Sequence, residues 1–183
     1  MKILTKRFSI LDLFEAIKTR RSIRAFTREE ISDGKIEKIL DAARWAPSAG
    51  NIQPWIFVIV KDPETKRRIS EAALNQFFIE EAPVVIVVCA DQERSRRGYG
   101  SRGADLYCIQ DTAAAIQNIL LAAHALGLGA CWVGAFNEGE VRLILRVPRG
   151  IRPVAIIPIG HPAEKPRTIF KRPLSEIVRR KTF

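Results

Sequence analysis

Three short segments hold side chains whose type and spacing suit chemistry. The first reads Arg20-Arg21-Ser22-Ile23-Arg24-Ala25-Phe26. On an extended backbone Arg20, Ser22 and Arg24 fall at i, i+2 and i+4 and project to one side. Two guanidinium groups and a hydroxyl so arranged form a cradle for phosphate, which guanidinium grips in bidentate fashion. The competing reading is a solvated basic loop after a helix, where cations complement the carboxyl end. The second segment reads Pro47-Ser48-Ala49-Gly50-Asn51-Ile52-Gln53-Pro54-Trp55. The carboxamides of Asn51 and Gln53 both donate and accept hydrogen bonds, which suits a flat heterocycle with alternating carbonyls and ring nitrogens. Asn51 as a turn stabiliser is the plainer alternative. The third runs Gly127-Leu128-Gly129-Ala130-Cys131-Trp132-Val133-Gly134-Ala135-Phe136. Its glycines permit close backbone approach, so an N–H near Gly134 or Ala135 could donate to a ligand atom. Tight helix-to-strand packing explains the same glycines. Further cations lie near Gly160-His161-Pro162 and in Lys171-Arg172-Pro173.

A fourth pattern, Gly98-Tyr99-Gly100-Ser101-Arg102-Gly103, matches the dinucleotide fingerprint letter for letter. That motif needs its first glycine at the end of a strand and an acid about 20 residues further on. Here the strand ends near Ala90, polar and charged residues intervene, and residues 120–125 contain no acid. Residues 91–103 therefore read as a flexible, charged loop. Cys89, Cys108 and Cys131 are widely spaced, and His124 and His161 are the only histidines. No metal-ligand spacing or disulfide framework follows, and a reducing, cytoplasmic setting is expected. No histidine sits in a triad-like setting, so no catalytic side chain is assigned.

These segments need elements to hold them. Ser9 can cap a helix whose Ile10, Leu13, Phe14 and Ile17 form one stripe. A second helix starts near Ser32, carries Ile36, Ile39, Leu40 and Ala43, and stops before Pro47. Strands are expected at 55–60, 84–89, 130–133 and 153–159. Helices are expected after Asp62-Pro63-Glu64, over 104–126 closed by Gly127, and after Asn137. The order allows antiparallel pairing, so α+β fits as well as α/β.

The chain of 183 residues fits one domain, is 47% hydrophobic, and has no apolar run long enough to span a bilayer. A basic start broken by Asp12 and Glu15 does not read as a signal peptide. Thirty Lys and Arg against twenty Asp and Glu give a net charge of +10 and point to an anionic partner. A nucleic-acid-binding module is the rival from another class, favoured by the arginines of residues 94–103. Against it, only Tyr99 interrupts a basic run as a stacking platform would.

Taken in order, R-R-S-I-R-A-F at 20–26, P-S-A-G-N-I-Q-P-W at 47–55, G-L-G-A-C-W-V-G at 127–134, I-G-H-P at 159–162 and R-P-L at 172–174 resemble the FMN-dependent nitroreductase family, over residues 9–178. The resemblance implies an α+β, three-layer fold with a central mixed, mostly antiparallel sheet, in a domain-swapped homodimer with FMN at the subunit interface. It also implies ping-pong transfer of hydride from NAD(P)H to a nitroaromatic, quinone or related acceptor. Dehalogenation, ring oxidation or flavin fragmentation on the same fold is the alternative. By resemblance Arg20, Ser22 and Arg24 hold the FMN phosphate and ribityl chain with Arg21 as helper, and Lys171 or Arg172 adds a cation. Asn51 and Gln53 face the ring with Pro47 and Ser48 beside it, and Gly134 and Ala135 offer backbone N–H. Residues 161–183 are expected to wrap the partner subunit, since Ile169, Phe170, Leu174 and Ile177 lie among cations and cannot form a core alone. Two departures stand out: the span at 91–103 is short where larger members insert helices, and Val133 replaces a glutamate that some members carry.

Overall fold

The computed structural model describes residues 12–167 and 169–183, so Ser9 and Ile10 lie outside the described part. The first helix there, α1 (Leu13–Thr19), is capped by Asp12, whose Oδ1 accepts from the backbone N–H of Phe14 at 2.9 Å and Glu15 at 3.3 Å. Then come α2 (Asp33–Arg44), β1 (Trp55–Val60), α3 (Pro63–Ala72), α4 (Phe78–Glu81) and β2 (Val84–Asp91). Asp62 caps α3 by accepting from Thr65 N–H at 2.8 Å, and Pro63 occupies the first turn, where a missing N–H costs nothing. The rest comprises α5 (Gln92–Arg102), α6 (Cys108–Ala125), β3 (Gly129–Ala130), α7 (Glu138–Ile144), β4 (Ile151–Gly160) and α8 (Leu174–Ile177).

The four strands lie in the order β1-β2-β4-β3, and every named pair is antiparallel. The parallel part of the expected mixed sheet is one bridge, Ser22 to Ala130 at the β3 edge. Burial follows the strand period of two. Val84, Ile86 and Val88 of β2 pack with Ile36, Ile39 and Ala43 of α2 and Ile116, Ile119 and Leu120 of α6. Val85, Val87 and Cys89 face the other way, onto Ile69, Ile79 and Val141 of α3, α4 and α7. Helices thus cover both faces, giving three layers and the expected α+β class.

Two expectations are corrected. Residues 91–103 are not a loop: α5 is started by Asp91, which accepts from Arg94 N–H at 2.8 Å, and a π-type turn (Gly103–Tyr107) passes the chain into α6. The glycines serve close packing. Gly100 takes φ 58° at the kink, and a Cβ on Gly103 would sit 2.2 Å from the Ser95 carbonyl oxygen. The strand expected over 130–133 is also shorter. Only Gly129–Ala130 forms a strand, and Val133 returns to the sheet as an isolated bridge to Ile156.

Among the described residues, the stripe of α1 finds no core. Leu13, Phe14 and Ile17 are exposed, and only Ala16 of this helix is buried. Ile169, Phe170, Leu174 and Ile177 of the tail are exposed as well.

Ile119 is fully buried on the α6 side of the sheet, so Ile119→Ala is expected to cost about 2–5 kcal/mol in urea unfolding. Leu143→Ala, at a site 79% exposed, is expected to change the same midpoint by no more than about 0.5 kcal/mol. Equal losses in both would refute this placement of the core.

Candidate functional site

Where α1 ends, the backbone turns extended and is sewn to two distant segments. Ile23 N–H donates to Ala130 O at 3.1 Å, Thr27 N–H to His161 O at 2.9 Å, and Ala163 N–H to Ala25 O at 2.9 Å. Ile23 and Phe26 are thereby turned inward, onto Ala82 and Phe78. Ser22 and Arg24 are left on the outside. Arg20, Arg21, Ser22 and Arg24 line one cavity of about 450 Å³, joined by Glu164, Lys165, Pro166, Arg167 and Ile169. Five of those residues are cations (Arg20, Arg21, Arg24, Lys165, Arg167) and one, Glu164, is an acid. Arg21 is committed to the end of α1: its Nη1 donates to Lys18 O at 2.6 Å and to Arg20 O at 2.8 Å. The donor set that remains fits a phosphate monoester, since guanidinium, ammonium and hydroxyl groups all donate and none but Ser22 accepts.

A second cavity of about 240 Å³ adjoins the first and shares Arg20, Arg21, Glu164 and Pro166 with it. His124 lines it and meets Thr19 Oγ1 at 2.8 Å. The Thr19 hydroxyl already donates to Glu15 O at 2.6 Å, so His124 Nε2 must be the donor of the pair. Burial and the nearby Arg20 and Arg21 charges push the imidazole pKa down, which keeps it neutral at pH 7. His124 is thus a hydrogen-bonded helix residue.

The loop from Pro47 to Pro54 folds through a 3₁₀ turn (Ala49–Asn51) and is held from below and from one side. Ala49 N–H donates to Asp111 Oδ1 at 3.1 Å, and Arg94 Nε to Ile52 O at 2.5 Å. Gln53 N–H donates to Ser48 Oγ at 2.9 Å, and Gln53 Nε2 to Asn51 Oδ1 at 3.2 Å. Asn51 and Gln53 take φ of 55° and 54°, a left-handed conformation that costs a non-glycine residue roughly 1–2 kcal/mol. Both side chains are exposed, with Pro47 and the half-buried Ser48 beside them. No residue of this loop lines the arginine cavity.

The remaining expected residues are placed as follows. Gly134 and Ala135 leave β3 exposed, and among the described residues their N–H groups have no hydrogen-bond partner. The Ala135 carbonyl accepts from Gln76 Nε2 at 3.0 Å. Lys171 and Arg172 are exposed in the tail and do not line the arginine cavity, and Arg172 Nε pairs with Glu176 Oε2 at 3.1 Å. Glu164, Lys165 and Arg167 take places on that cavity that the sequence reading did not assign. Asp111 was missed as well, although it is the lone acid of α6.

All three cysteines are free and buried, and burial pushes the Cys89 thiol up to about 11, far from a reactive thiolate. Among the described residues no group of three or more His, Cys, Asp or Glu could hold a metal, and no helix is long and apolar enough to cross a membrane.

The model of the nitroreductase family matches residues 17–80 and 72–161. A Methanothermobacter thermautotrophicus protein, provisionally named NADH dehydrogenase/NAD(P)H nitroreductase, is 41% identical over 167 residues, covering 88% of this chain and 83% of that protein. An NADH dehydrogenase of Thermus thermophilus is 35% identical over 196 residues, covering 92% of this chain and 96% of its own. Among solved structures, the NADPH:FMN oxidoreductase of Vibrio harveyi complexed with NAD+ superposes with a TM-score of 0.86 at 28% identity, covering 93% of this chain and 77% of that one.

Asp111 beneath the loop gives a pH test. Its Oδ2 is buried with no hydrogen-bond partner, and burial pushes its carboxyl pKa up against the lowering effect of the Ala49 N–H. A raised folded-state pKa means that folding favours the protonated acid. The wild type should therefore gain stability relative to Asp111→Asn as pH falls from 7 toward about 4, the ordinary carboxylate range. Urea midpoints of the two proteins that differ by a pH-independent amount would refute the assignment.

Proposed function

This chain belongs to the nitroreductase family, and from that premise we propose that it is an NAD(P)H-dependent FMN oxidoreductase. In this reading it passes hydride in ping-pong order to a small electron acceptor, such as a nitroaromatic or a quinone. The observation that carries the reading is the convergence of Arg20, Ser22 and Arg24 on one cavity. A phosphate monoester matches that donor set, and riboflavin 5′-phosphate is the flavin with such an end. When bound, the flavin supplies the two-electron chemistry, while the protein supplies orientation and electrostatics. The arginines and Ser22 neutralise and fix the phosphate. The carboxamides of Asn51 and Gln53 would meet the ring and its heteroatom edge, with Pro47 and Ser48 alongside. The unpartnered N–H groups of Gly134 and Ala135 would offer two donors near flavin N5 and O4. This division of labour needs no protein nucleophile.

The phosphate cradle and the 47–54 loop do not share a cavity in one chain, so the reading requires two copies, each completing the other's site. The exposed apolar residues support this. Leu13, Phe14 and Ile17 of α1 and Phe170, Leu174 and Ile177 of the tail offer surface that a homodimer would cover. In that assembly residues 161–183 wrap the partner and bring Lys171 or Arg172 to a phosphate. The free, buried cysteines accord with a reducing cytoplasm.

Each charge-assisted hydrogen bond to phosphate contributes about 1.5–3 kcal/mol. Arg24→Ala is therefore expected to weaken FMN binding roughly ten- to a hundredfold without loss of fold. Visible absorbance of the purified protein reads this directly: wild type yellow, the variant largely colourless. An Arg20→Ala/Arg24→Ala double variant that purifies fully yellow would overturn the phosphate assignment.

A further inference from the structure

Glu164 is the acid among the cations of the arginine cavity. Its Oε1 accepts the backbone N–H of Arg24 at 2.5 Å, and it also lines the adjoining smaller cavity, so it stands where the two meet. Its backbone is not free to swing. Phe26 bridges to Pro162, and the Ala163 N–H is held by the Ala25 carbonyl at 2.9 Å, one residue before the glutamate. A carboxylate so fixed does two things. As an acceptor it holds the Arg24 backbone in place, and as a charge it occupies ground that any other anion must share. Arg20, Lys165 and Arg167 line the same cavity, so the carboxylate lies among cations with which it forms no direct ion pair among the described residues.

We propose that Glu164 is a built-in competitor for the arginine cradle: its carboxylate compensates the cations when no phosphate is bound, and so sets how strongly the site prefers a phosphorylated flavin over an unphosphorylated one. This rests on the reading that the cradle takes the phosphate. Binding at the cradle is then an exchange of one anion for another. The preference for the phosphate group is smaller than five cations alone would give, and the neutral head of the flavin is unaffected.

Gln is isosteric with Glu and keeps an oxygen that can accept the Arg24 N–H, so Glu164→Gln removes the charge and leaves the tether. The test titrates riboflavin 5′-phosphate and riboflavin separately into flavin-depleted, full-length protein, wild type and Glu164→Gln, following flavin fluorescence. Removing one unit charge a few ångströms from a phosphate in a partly solvated site is expected to tighten riboflavin 5′-phosphate on the order of tenfold. Riboflavin should bind both proteins equally. A variant that binds riboflavin 5′-phosphate no more tightly than wild type, while wild type still prefers it to riboflavin, overturns the competitor role alone. A wild type that binds the two flavins equally overturns the phosphate reading, and the competitor role with it.

Discussion

The arrangement of the site depends on a few backbone hydrogen bonds at the β3 edge of the sheet. Ile23 pairs with Ala130, Ala25 with Ala163 and Thr27 with His161, so segments more than a hundred residues apart lie side by side. Once this ladder forms, it fixes which side chains turn inward, and the i, i+3 spacing of the two buried ones shows a chain that departs from strict strand alternation. Ile23 and Phe26 go inward against Ala82, Ala25 is half-buried, and Arg24 faces solvent. Gly129 belongs to the same constraint, because a Cβ there would lie 2.8 Å from the Ile23 side chain. The gathering of Arg20, Ser22 and Arg24 on one cavity is thus a by-product of sheet pairing and of a glycine small enough to permit it.

Charge then concentrates where that ladder ends. Arg20, Arg21 and Arg24 come from one segment and Lys165 and Arg167 from another, and pairing between the segments gathers cations that would repel one another without a counter-ion. Within the chain, Arg21 Nη1 is occupied by two carbonyls, and the Glu164 carboxylate, which accepts the Arg24 N–H, lies in the same cavity. The net charge of +10 that suggested an anionic partner is, at this point of the surface, a local property.

What could be read from the sequence follows the range of the interactions involved. The i, i+2, i+4 spacing of Arg20, Ser22 and Arg24 is a local statement about an extended backbone; all three line one cavity, but Arg21 lines it too. Caps at Asp62 and Asn137, and the helix stop before Pro47, are local too, and they stand where expected. Lys165, Arg167 and Glu164 were not legible as site residues, because a pairing between 25–27 and 161–163 brings them there and no short-range pattern encodes it. The glycines of residues 98–103 misled in the opposite sense. Their density suggests a loop, whereas Gly103 provides room against the Ser95 carbonyl for a helix that doubles back. The Asp91 cap was the signal that the segment is helical. Asp111 was legible in principle, as a single acid in an otherwise uncharged stretch of α6.

The left-handed residues at 51 and 53 show what this protein has kept at the expense of ease. Glycine would adopt φ near 55° there without strain, yet the chain carries Asn and Gln. An engineer seeking a hardier scaffold would find these two positions inviting, and the substitutions would relax the backbone while erasing both amides. In the role proposed for these amides, durability and chemistry draw on the same few atoms of the loop, so selection for heat tolerance alone would push this chain toward a sturdier but duller protein.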